Sequence, residues 1–154
     1  MLDAPPFEPG PLVDAAVITA LPAHLRDAQT VFEQTGALHA AARCRVDGSV
    51  LIAREDVGRH NAVDAIAGKM WLDGVDGSDK IFYTTGRLTS EMVIKTVKMR
   101  IPVLVSRSGF TAWGVELARK ANLTLVGRAR GKRFIALAGE KRIVFDQNLD
   151  YVEE

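Results

Sequence analysis

Residues 54–64 (REDVGRHNAVD) place an unusual variety of polar groups between an apolar segment and an amphipathic one. The residues of this run that could do chemistry are Glu55, Asp56, Arg59, His60, Asn61 and Asp64. They combine charges of both signs with a titratable imidazole and a bidentate amide. Open α/β proteins bind ligands where a strand ends and a helix begins. The run therefore indicates a ligand site, and the alternative is a structural turn held by salt bridges.

Two further segments collect similar groups where a predicted strand ends. The first follows residues 81–84 and supplies Gly86, Arg87, Ser90, Glu91 and Lys95. The second follows residues 102–105 and supplies Ser106, Arg107 and Ser108. Glycine lets a ligand approach the backbone closely, and arginine can bind phosphates or carboxylates through two nitrogens. Because strand ends lie along one edge of an α/β sheet, the three segments together predict an anion-binding pocket.

The alternative for these segments is a set of separate helix caps and surface ion pairs. None of them has the spacing of a P-loop, and residues 127–131 do not match the dinucleotide-binding fingerprint. Arg128, Arg130, Lys132 and Arg133 form a further basic cluster, which suits a polyanion or, equally, a charged edge strand that resists aggregation. His39 lies among small residues, so a core position and a place in the site both remain open.

The elements that must position these groups follow from the apolar pattern. Four prolines in residues 1–11 predict an extended, unpacked lead-in. A helix is predicted from Leu21 to Phe32, with Gly36 placed to cap its end, followed by a hairpin at Asp47-Gly48 and a helix over 61–72. Strands are predicted at 81–84, 102–105 and 123–126, with helices after Thr89 or Ser90 and around Trp113. Residues 134–137 and 143–145 are predicted to pair as a hairpin.

Strands that alternate with helices indicate parallel pairing, and the hairpins add antiparallel pieces. We therefore expect a three-layer α/β/α fold with a mixed sheet. Residues 1–20 are expected to form an extended lead-in with a short helix, and residues 21–154 a single domain. The chain has 154 residues, which is enough to bury a sizeable core without a covalent staple.

Composition excludes several classes of function. The net charge of +1 favours neither nucleic acid nor a membrane surface as a partner. The N-terminus has no secretory pattern and no apolar run is long enough to span a bilayer, so a cytoplasmic location is expected. The single cysteine, Cys44, is expected to be a packed residue and not a reactive one. The histidines lack the partners of a metal site, and no Gly-x-Ser-x-Gly sequence supports a serine hydrolase.

These motifs, in this order, resemble those of the FdhD/NarQ family, the formate dehydrogenase accessory sulfurtransferases. The matching residues are Gln29, Phe32, Thr35 and Gly36, then 38–41, the whole of 54–64, Gly86-Arg87, 90–93, Lys95, 101–104, 106–108, 123–127 and Arg130. The resemblance extends over about residues 20–145, and the eleven-residue run is its most specific part.

The resemblance implies a fold similar to the cytidine-deaminase-like α/β/α proteins, but without zinc. It implies that sulfur arrives from a cysteine desulfurase as a persulfide and passes to the molybdenum bis(molybdopterin guanine dinucleotide) cofactor, which is destined for formate dehydrogenase. It also implies a homodimer and suggests GDP as a mimic of the cofactor. The cofactor-binding residues it adds are Thr35, Gly36, His39, Gly58 and, near the C-terminus, Arg128, Ala129, Arg130, Gly131, Lys132 and Arg133.

The chain departs from the family pattern at several positions. The Cys-x-x-Cys loop that carries sulfur is expected just before the first residues and is missing, and Ala37, Ala65 and Arg128 replace a glycine, a lysine and an aromatic residue. We therefore expect this chain to bind the guanine-dinucleotide end of the cofactor, with His60 orienting phosphate or ribose, and to have no catalytic residue and no sulfur transfer of its own. The alternative is a non-catalytic dimerisation or partner-binding module. Nucleotide hydrolysis or deamination is disfavoured because the metal ligands are missing.

Overall fold

The structure is a computed structural model that describes residues 6–7, 11–28, 39–56, 59–74, 77–130 and 133–144. For residues 25–28, 39–41, 52–56, 59–63 and 130 it describes the backbone alone. The strands are β1 (Val13–Asp14), β2 (His39–Arg45), β3 (Val50–Asp56), β4 (Lys80–Thr84), β5 (Val103–Ser106), β6 (Thr124–Arg130), β7 (Arg133–Ala138) and β8 (Ile143–Val144). The helices are α1 (Ala15–Ala28), α2 (Arg59–Asp73), α3 (Ser90–Lys98) and α4 (Ala112–Ala121), with a 3-10 turn at Glu140–Arg142.

Six strands form one mixed sheet in the order β3-β2-β4-β5-β6-β7. The pairs β4/β5 and β5/β6 are parallel, and the pairs β2/β3, β2/β4 and β6/β7 are antiparallel. The predicted turn at Asp47-Gly48 is confirmed as the β2–β3 hairpin, where the Gly48 N–H donates to the Arg45 carbonyl at 2.9 Å. The expected α/β fold with a mixed sheet is confirmed.

Helices cover both faces of the sheet. Alternation along each strand sends Phe82, Leu104 and Leu125 to one face, where Ile66 of α2 and Met92 of α3 pack against them. Ile81, Tyr83, Val103, Val105 and Val126 occupy the opposite face with Ile18 and Leu21 of α1. A strand buried on both faces must be apolar throughout, which explains the continuous apolar runs of β4 and β5. The result is three layers, as expected.

The first helix begins earlier than the sequence predicts. The prediction starts at Leu21, whereas α1 starts at Ala15, and the Asp14 carboxylate accepts the Ala16 N–H at 3.0 Å. Pro22 lies inside this helix, although proline usually favours the first turn. The prediction of an end at Gly36 lies outside the described residues.

Within the predicted unpacked lead-in, Phe7 is packed against the fold. Phe7 is buried, and its N–H donates to the Ala121 carbonyl at 2.8 Å, while the Asn122 side-chain amide donates to the Phe7 carbonyl at 2.8 Å. The Arg100 guanidinium lies 4.3 Å from the centre of the Phe7 ring. An aromatic ring in the core and two hydrogen bonds of its backbone therefore fix Phe7 in place.

The predicted C-terminal hairpin is wrong. β7 pairs with β6, and β8 pairs in parallel with β1, where Val13 faces Ile143. Gly139 causes the change of direction because its φ of 62° starts the 3-10 turn. A side chain there would meet Leu123 and Thr124 atoms at 2.8 Å, so only glycine fits. In the part of the chain that the structure describes, no helix is both long and apolar enough to cross a lipid bilayer.

Candidate functional site

The predicted convergence of strand ends at one edge of the sheet is confirmed. β3, β4, β5 and β6 run in the same direction, so Asp56, Thr84, Ser106 and Arg130 end at the same edge. β2 runs the other way, and its first residue, His39, faces Asp56 in the ladder and therefore lies at that edge too. Five adjacent strands from β3 to β6 span about 19 Å, at a spacing of about 4.8 Å.

Three helices begin at this edge, because α2, α3 and α4 follow β3, β4 and β5. The backbones of Arg59, His60 and Asn61 form the first turn of α2. Thr89 and Thr111 cap α3 and α4, and their hydroxyls accept the N–H groups of Met92 and Gly114. Helix N-termini carry partial positive charge and unpaired N–H groups, so this edge favours anions.

Hydrogen bonds between the two loops after β4 and β5 fix their geometry. The buried Ser106 hydroxyl donates to the Gly86 carbonyl at 2.6 Å and accepts the Ser108 N–H at 3.0 Å. The Ser108 hydroxyl donates to the Thr85 carbonyl at 2.6 Å, and the Gly86 N–H donates to the Thr84 hydroxyl at 3.1 Å. The sequence predicts Gly86 as a point of close approach for a ligand, whereas Gly86 is buried and both its peptide groups bond within the protein.

The end of β6 is attached to the same loops. The Arg128 N–H donates to the Ser108 carbonyl at 2.9 Å, and the Arg128 backbone adopts a left-handed conformation with φ of 52°. A non-glycine residue rarely adopts this conformation unless its surroundings impose it. The Arg128 guanidinium lies 5.7 Å from the centre of the Phe110 ring. The bend thus places an exposed guanidinium and an aromatic ring side by side at the edge.

The cations that the sequence singles out differ in exposure. Arg87 and Arg128 are exposed, whereas Arg107 is half-buried and already interacts with another group of the protein. Glu91 is exposed in the first turn of α3. Among the side chains that the structure describes at this edge, Arg87 and Arg128 are therefore the cations best placed to meet an anion from solvent.

Asp64 and Lys95 form an ion pair between neighbouring helices. The Lys95 ammonium lies 2.9 Å from the Asp64 carboxylate, and the two side chains are 28% and 60% exposed. Asp64 is six residues into α2, and Lys95 is six residues into α3. This bond ties the helix that carries Arg59-His60-Asn61 to the helix that follows Arg87.

Cys44 is not suited to carry sulfur in the folded chain. It lies in β2 with 1% of its surface exposed, and burial raises the pKa of its thiol to about 12, with a smaller contribution from the negative charge of Asp47. Sulfur acceptance requires a thiolate that a donor can reach. The observed burial agrees with the expectation of a packed cysteine.

Several predicted site residues lie elsewhere or outside the described residues. Ala129 is fully buried in the core on the α1 face, because its side chain points away from that of Arg128. Arg130 and Arg133 face each other across the β6–β7 pair, and the Arg133 side chain is exposed. Ser90 is half-buried at the start of α3. The residues outside the described part are Thr35, Gly36, Gly58, Gly131 and Lys132.

Other residues of the edge are not apparent from the sequence. Leu88 and Phe110 form a parallel bridge between the two loops, with the Leu88 N–H donating to the Gly109 carbonyl at 3.0 Å. Thr111 precedes a helical pattern and could have been recognised as a cap. Phe110 gives no local signal, since its role depends on Arg128. Among the side chains that the structure describes, no group of three histidine, cysteine or acidic residues could hold a metal ion.

Comparison with known proteins gives one consistent result. A family model described as the FdhD/NarQ family matches residues 2–144. The chain is 42% identical over 142 residues to the sulfur carrier protein FdhD of Streptomyces avermitilis, covering 92% of this chain and 49% of that protein. It is 41% identical over 132 residues to the protein of that name from Saccharolobus solfataricus, covering 85% and 51%.

A solved structure agrees with these sequence matches. It belongs to a protein of Desulfotalea psychrophila assigned as a formate dehydrogenase accessory protein, and it superposes with a TM-score of 0.81 at 32% identity, covering 92% of this chain and 60% of the other. The chain spans about half the length of the curated relatives that it matches. Since the family model covers nearly the whole sequence, this chain belongs to the FdhD/NarQ family.

Proposed function

We propose that this chain binds the guanine-dinucleotide end of the molybdenum bis(molybdopterin guanine dinucleotide) cofactor during maturation of formate dehydrogenase. The relatives are named sulfur carrier proteins, and the related solved structure is assigned as a formate dehydrogenase accessory protein. Formate dehydrogenase is the recipient in this proposal, and a cysteine desulfurase is the source of sulfur. The cofactor would be held in transit while sulfur is added to it.

The observation that carries the proposal is the convergence of three helix N-termini and two exposed guanidinium groups at one sheet edge. A dinucleotide presents a pyrophosphate and flat bases. The first turns of α2, α3 and α4 supply N–H groups and partial positive charge for phosphate. Arg87 and Arg128 supply bidentate donors, and Phe110 beside Arg128 supplies a flat apolar surface for a base.

We assign two roles to the predicted site residues. In this proposal Arg59, His60, Asn61, Arg87 and Arg128 meet the ligand, since the backbones of the first three form the first turn of α2 and Arg87 and Arg128 are exposed. Ser106, Ser108 and Gly86 hold the loops in place through hydrogen bonds with one another. Residues that hold one another in this way keep the loops ready for a ligand, which lowers the entropy cost of binding.

Sulfur transfer belongs to a thiol other than Cys44 in this proposal. Cys44 is the single cysteine of the chain, and its burial keeps the thiol protonated at neutral pH. The chain alone is therefore expected to accept no persulfide from a cysteine desulfurase and cysteine, which intact-mass spectrometry would detect as an addition of one sulfur atom. A persulfide on Cys44 that reaches the enzyme would contradict this part of the proposal.

The binding proposal is tested with GDP and thermal unfolding. A ligand that binds only the folded state at a hundred times its Kd stabilises that state by about 2.7 kcal/mol, which raises the Tm. GDP should raise the Tm of the native chain, and Arg87→Ala should reduce the affinity about tenfold or more because a charge-assisted bond to phosphate is lost. Lys141→Ala is the matched control, because Lys141 is an exposed cation of the 3-10 turn outside the proposed site.

A dimerisation module is the second candidate, and the exposed edge strand β7 favours it. Ile135 of β7 is 42% exposed, and β7 pairs on one side with β6. Light scattering beside the thermal measurement separates the candidates. A stable dimer with no response to GDP would replace the cofactor proposal, and an unchanged GDP affinity in Arg87→Ala would remove Arg87 from the site.

A further inference from the structure

A groove lies between α2 and α3, on the side of the Asp64–Lys95 ion pair that faces away from the strand ends. Its volume is about 670 Å³. It runs from that ion pair to the C-terminal ends of both helices, where Trp71, Gly74, Met99 and Arg100 line it. The proposed cofactor edge is at the other end of these helices, so the groove needs an explanation of its own.

The floor of the groove is apolar and adaptable. Met70 and Met99 are nearly fully buried and present thioether side chains, and Ala67 leaves room beside them. Methionine has an unbranched, polarisable side chain, and it is used in surfaces that accept apolar groups of varied shape. A floor of this composition suits the aliphatic side chains of another polypeptide.

One wall of the groove includes Trp71, which faces solvent, and the next residue in the chain, Leu72, is exposed beside it. Trp71 is 85% exposed, and Leu72, next to it, is 81% exposed. Single exposed apolar residues are ordinary, but a tryptophan beside a leucine at the mouth of an apolar groove marks a contact surface. Tryptophan is the residue type most enriched among those that dominate binding energy.

The rim of the groove decides the kind of partner. Among the described residues that line it, Lys95, Lys98 and Arg100 stand against one carboxylate, that of Asp64, which pairs with Lys95, so the described part of the rim has a positive net charge. Lys98 is exposed at the end of α3. A second copy of the chain docked by twofold symmetry would place this positive rim against itself, which is unfavourable. A negatively charged partner is favoured instead.

We propose that this groove binds an acidic amphipathic helix of a partner protein. The apolar face of that helix would pack on Met70, Met99 and Trp71, and its carboxylates would meet the exposed Lys98 at the rim. Such helix-in-groove binding uses apolar anchors at positions i, i+3, i+4 and i+7. The apolar anchors of this groove lie at the opposite end of α2 and α3 from the proposed cofactor edge, and the test requires no nucleotide.

The test uses two fluorescein-labelled peptides of eighteen residues with leucine at that spacing. One peptide carries glutamate at all flanking positions, and its twin carries lysine. Fluorescence anisotropy with the full chain should show binding of the acidic peptide that weakens with added salt, and at least about tenfold weaker binding of the basic twin. Equal binding of both peptides, or binding of neither, would overturn the proposal.

Matched variants locate the peptide on the molecule. Trp71→Ala should weaken binding about 30-fold, the usual effect of removing a dominant tryptophan, and Lys98→Glu about tenfold. Trp113→Ala and Lys120→Glu are the controls, because Trp113 and Lys120 are exposed on α4 outside the groove. If the control variants lost as much affinity for the peptide, the peptide would not bind in the groove. A dimer seen by light scattering that dissociates in Trp71→Ala would show that a second copy occupies the groove.

Discussion

The Lys95 ammonium and the Asp64 carboxylate, 2.9 Å apart, bridge two helices that both begin at the candidate site. The pair lies between the first turns, which face the proposed ligand, and the groove between the C-terminal halves. Its partners are partly exposed, so solvent weakens the attraction. The ion pair therefore aligns the two helices more than it stabilises the fold.

A double-mutant cycle of Asp64→Asn and Lys95→Met should give a coupling free energy of about 0.5 kcal/mol, because exposed ion pairs contribute little. Urea unfolding at low salt measures it, and 1 M salt should remove most of it. The pair Lys69–Asp73, 3.3 Å apart within α2, is the comparison and should give a similar coupling. A coupling above about 2 kcal/mol would show that the bridge is effectively buried.

Ser106→Ala should lower the free energy of unfolding by about 1–3 kcal/mol, since it leaves the Gly86 carbonyl and the Ser108 N–H without their buried partner. Urea unfolding gives the value. Ser108→Ala removes one bond, to the Thr85 carbonyl, at a half-buried position and should cost less. A larger loss of stability in Ser108→Ala than in Ser106→Ala would show that the Ser106 hydroxyl does not hold the loops.

Stability should fall as the pH rises above about 9, because Cys44 keeps its proton in the folded chain until about pH 12, whereas the unfolded chain releases it near pH 9. Between these pH values the unfolded state binds fewer protons, and each pH unit costs about 1.4 kcal/mol of stability. Cys44→Ala should lack this contribution, so the difference in the free energy of unfolding between native and variant chains should change with that slope. If the free energies of unfolding of the native and Cys44→Ala chains changed with pH in the same way, the Cys44 thiol would be accessible to solvent in the folded chain.

Gly114→Ala should destabilise the chain by about 1–3 kcal/mol, because the added methyl would lie 2.6 Å from the Leu88 carbonyl oxygen and force α4 away from the loop. Gly68→Ala in α2 is the control, because Gly68 is exposed with no atom within 4 Å of the added carbon. It should stabilise the chain by about 0.5–1 kcal/mol through helix propensity. Thermal unfolding compares the two variants, and an equal change of Tm in Gly114→Ala and Gly68→Ala would contradict the close approach of α4 to the loop.

The alternation of strands and helices over residues 80–126 could be predicted because its signals are local. Apolar runs mark β4 and β5, and Thr89 precedes α3 as its cap. Parallel pairing then brings the strand ends together. The motif residues Arg59, Arg87 and Arg128 reach that edge for this reason.

Non-local pairings could not be predicted in the same way. Nothing in residues 143–144 indicates a partner 130 positions away in β1, so an adjacent hairpin is the simpler interpretation. The internal role of Ser106 and Gly86 depends on a hydrogen bond between residues 20 positions apart. A serine and a glycine in a loop have the same appearance in the sequence whether they meet a ligand or each other.

The parallel pair of β1 and β8 has a consequence for how the domain can be joined to other polypeptide. Val13 and Ile143 are direct neighbours, and the Arg142 guanidinium lies 5.9 Å from the centre of the Phe7 ring. The first and last strands that the structure describes therefore lie side by side, so the segments that precede β1 and follow β8 are attached at neighbouring points of the fold.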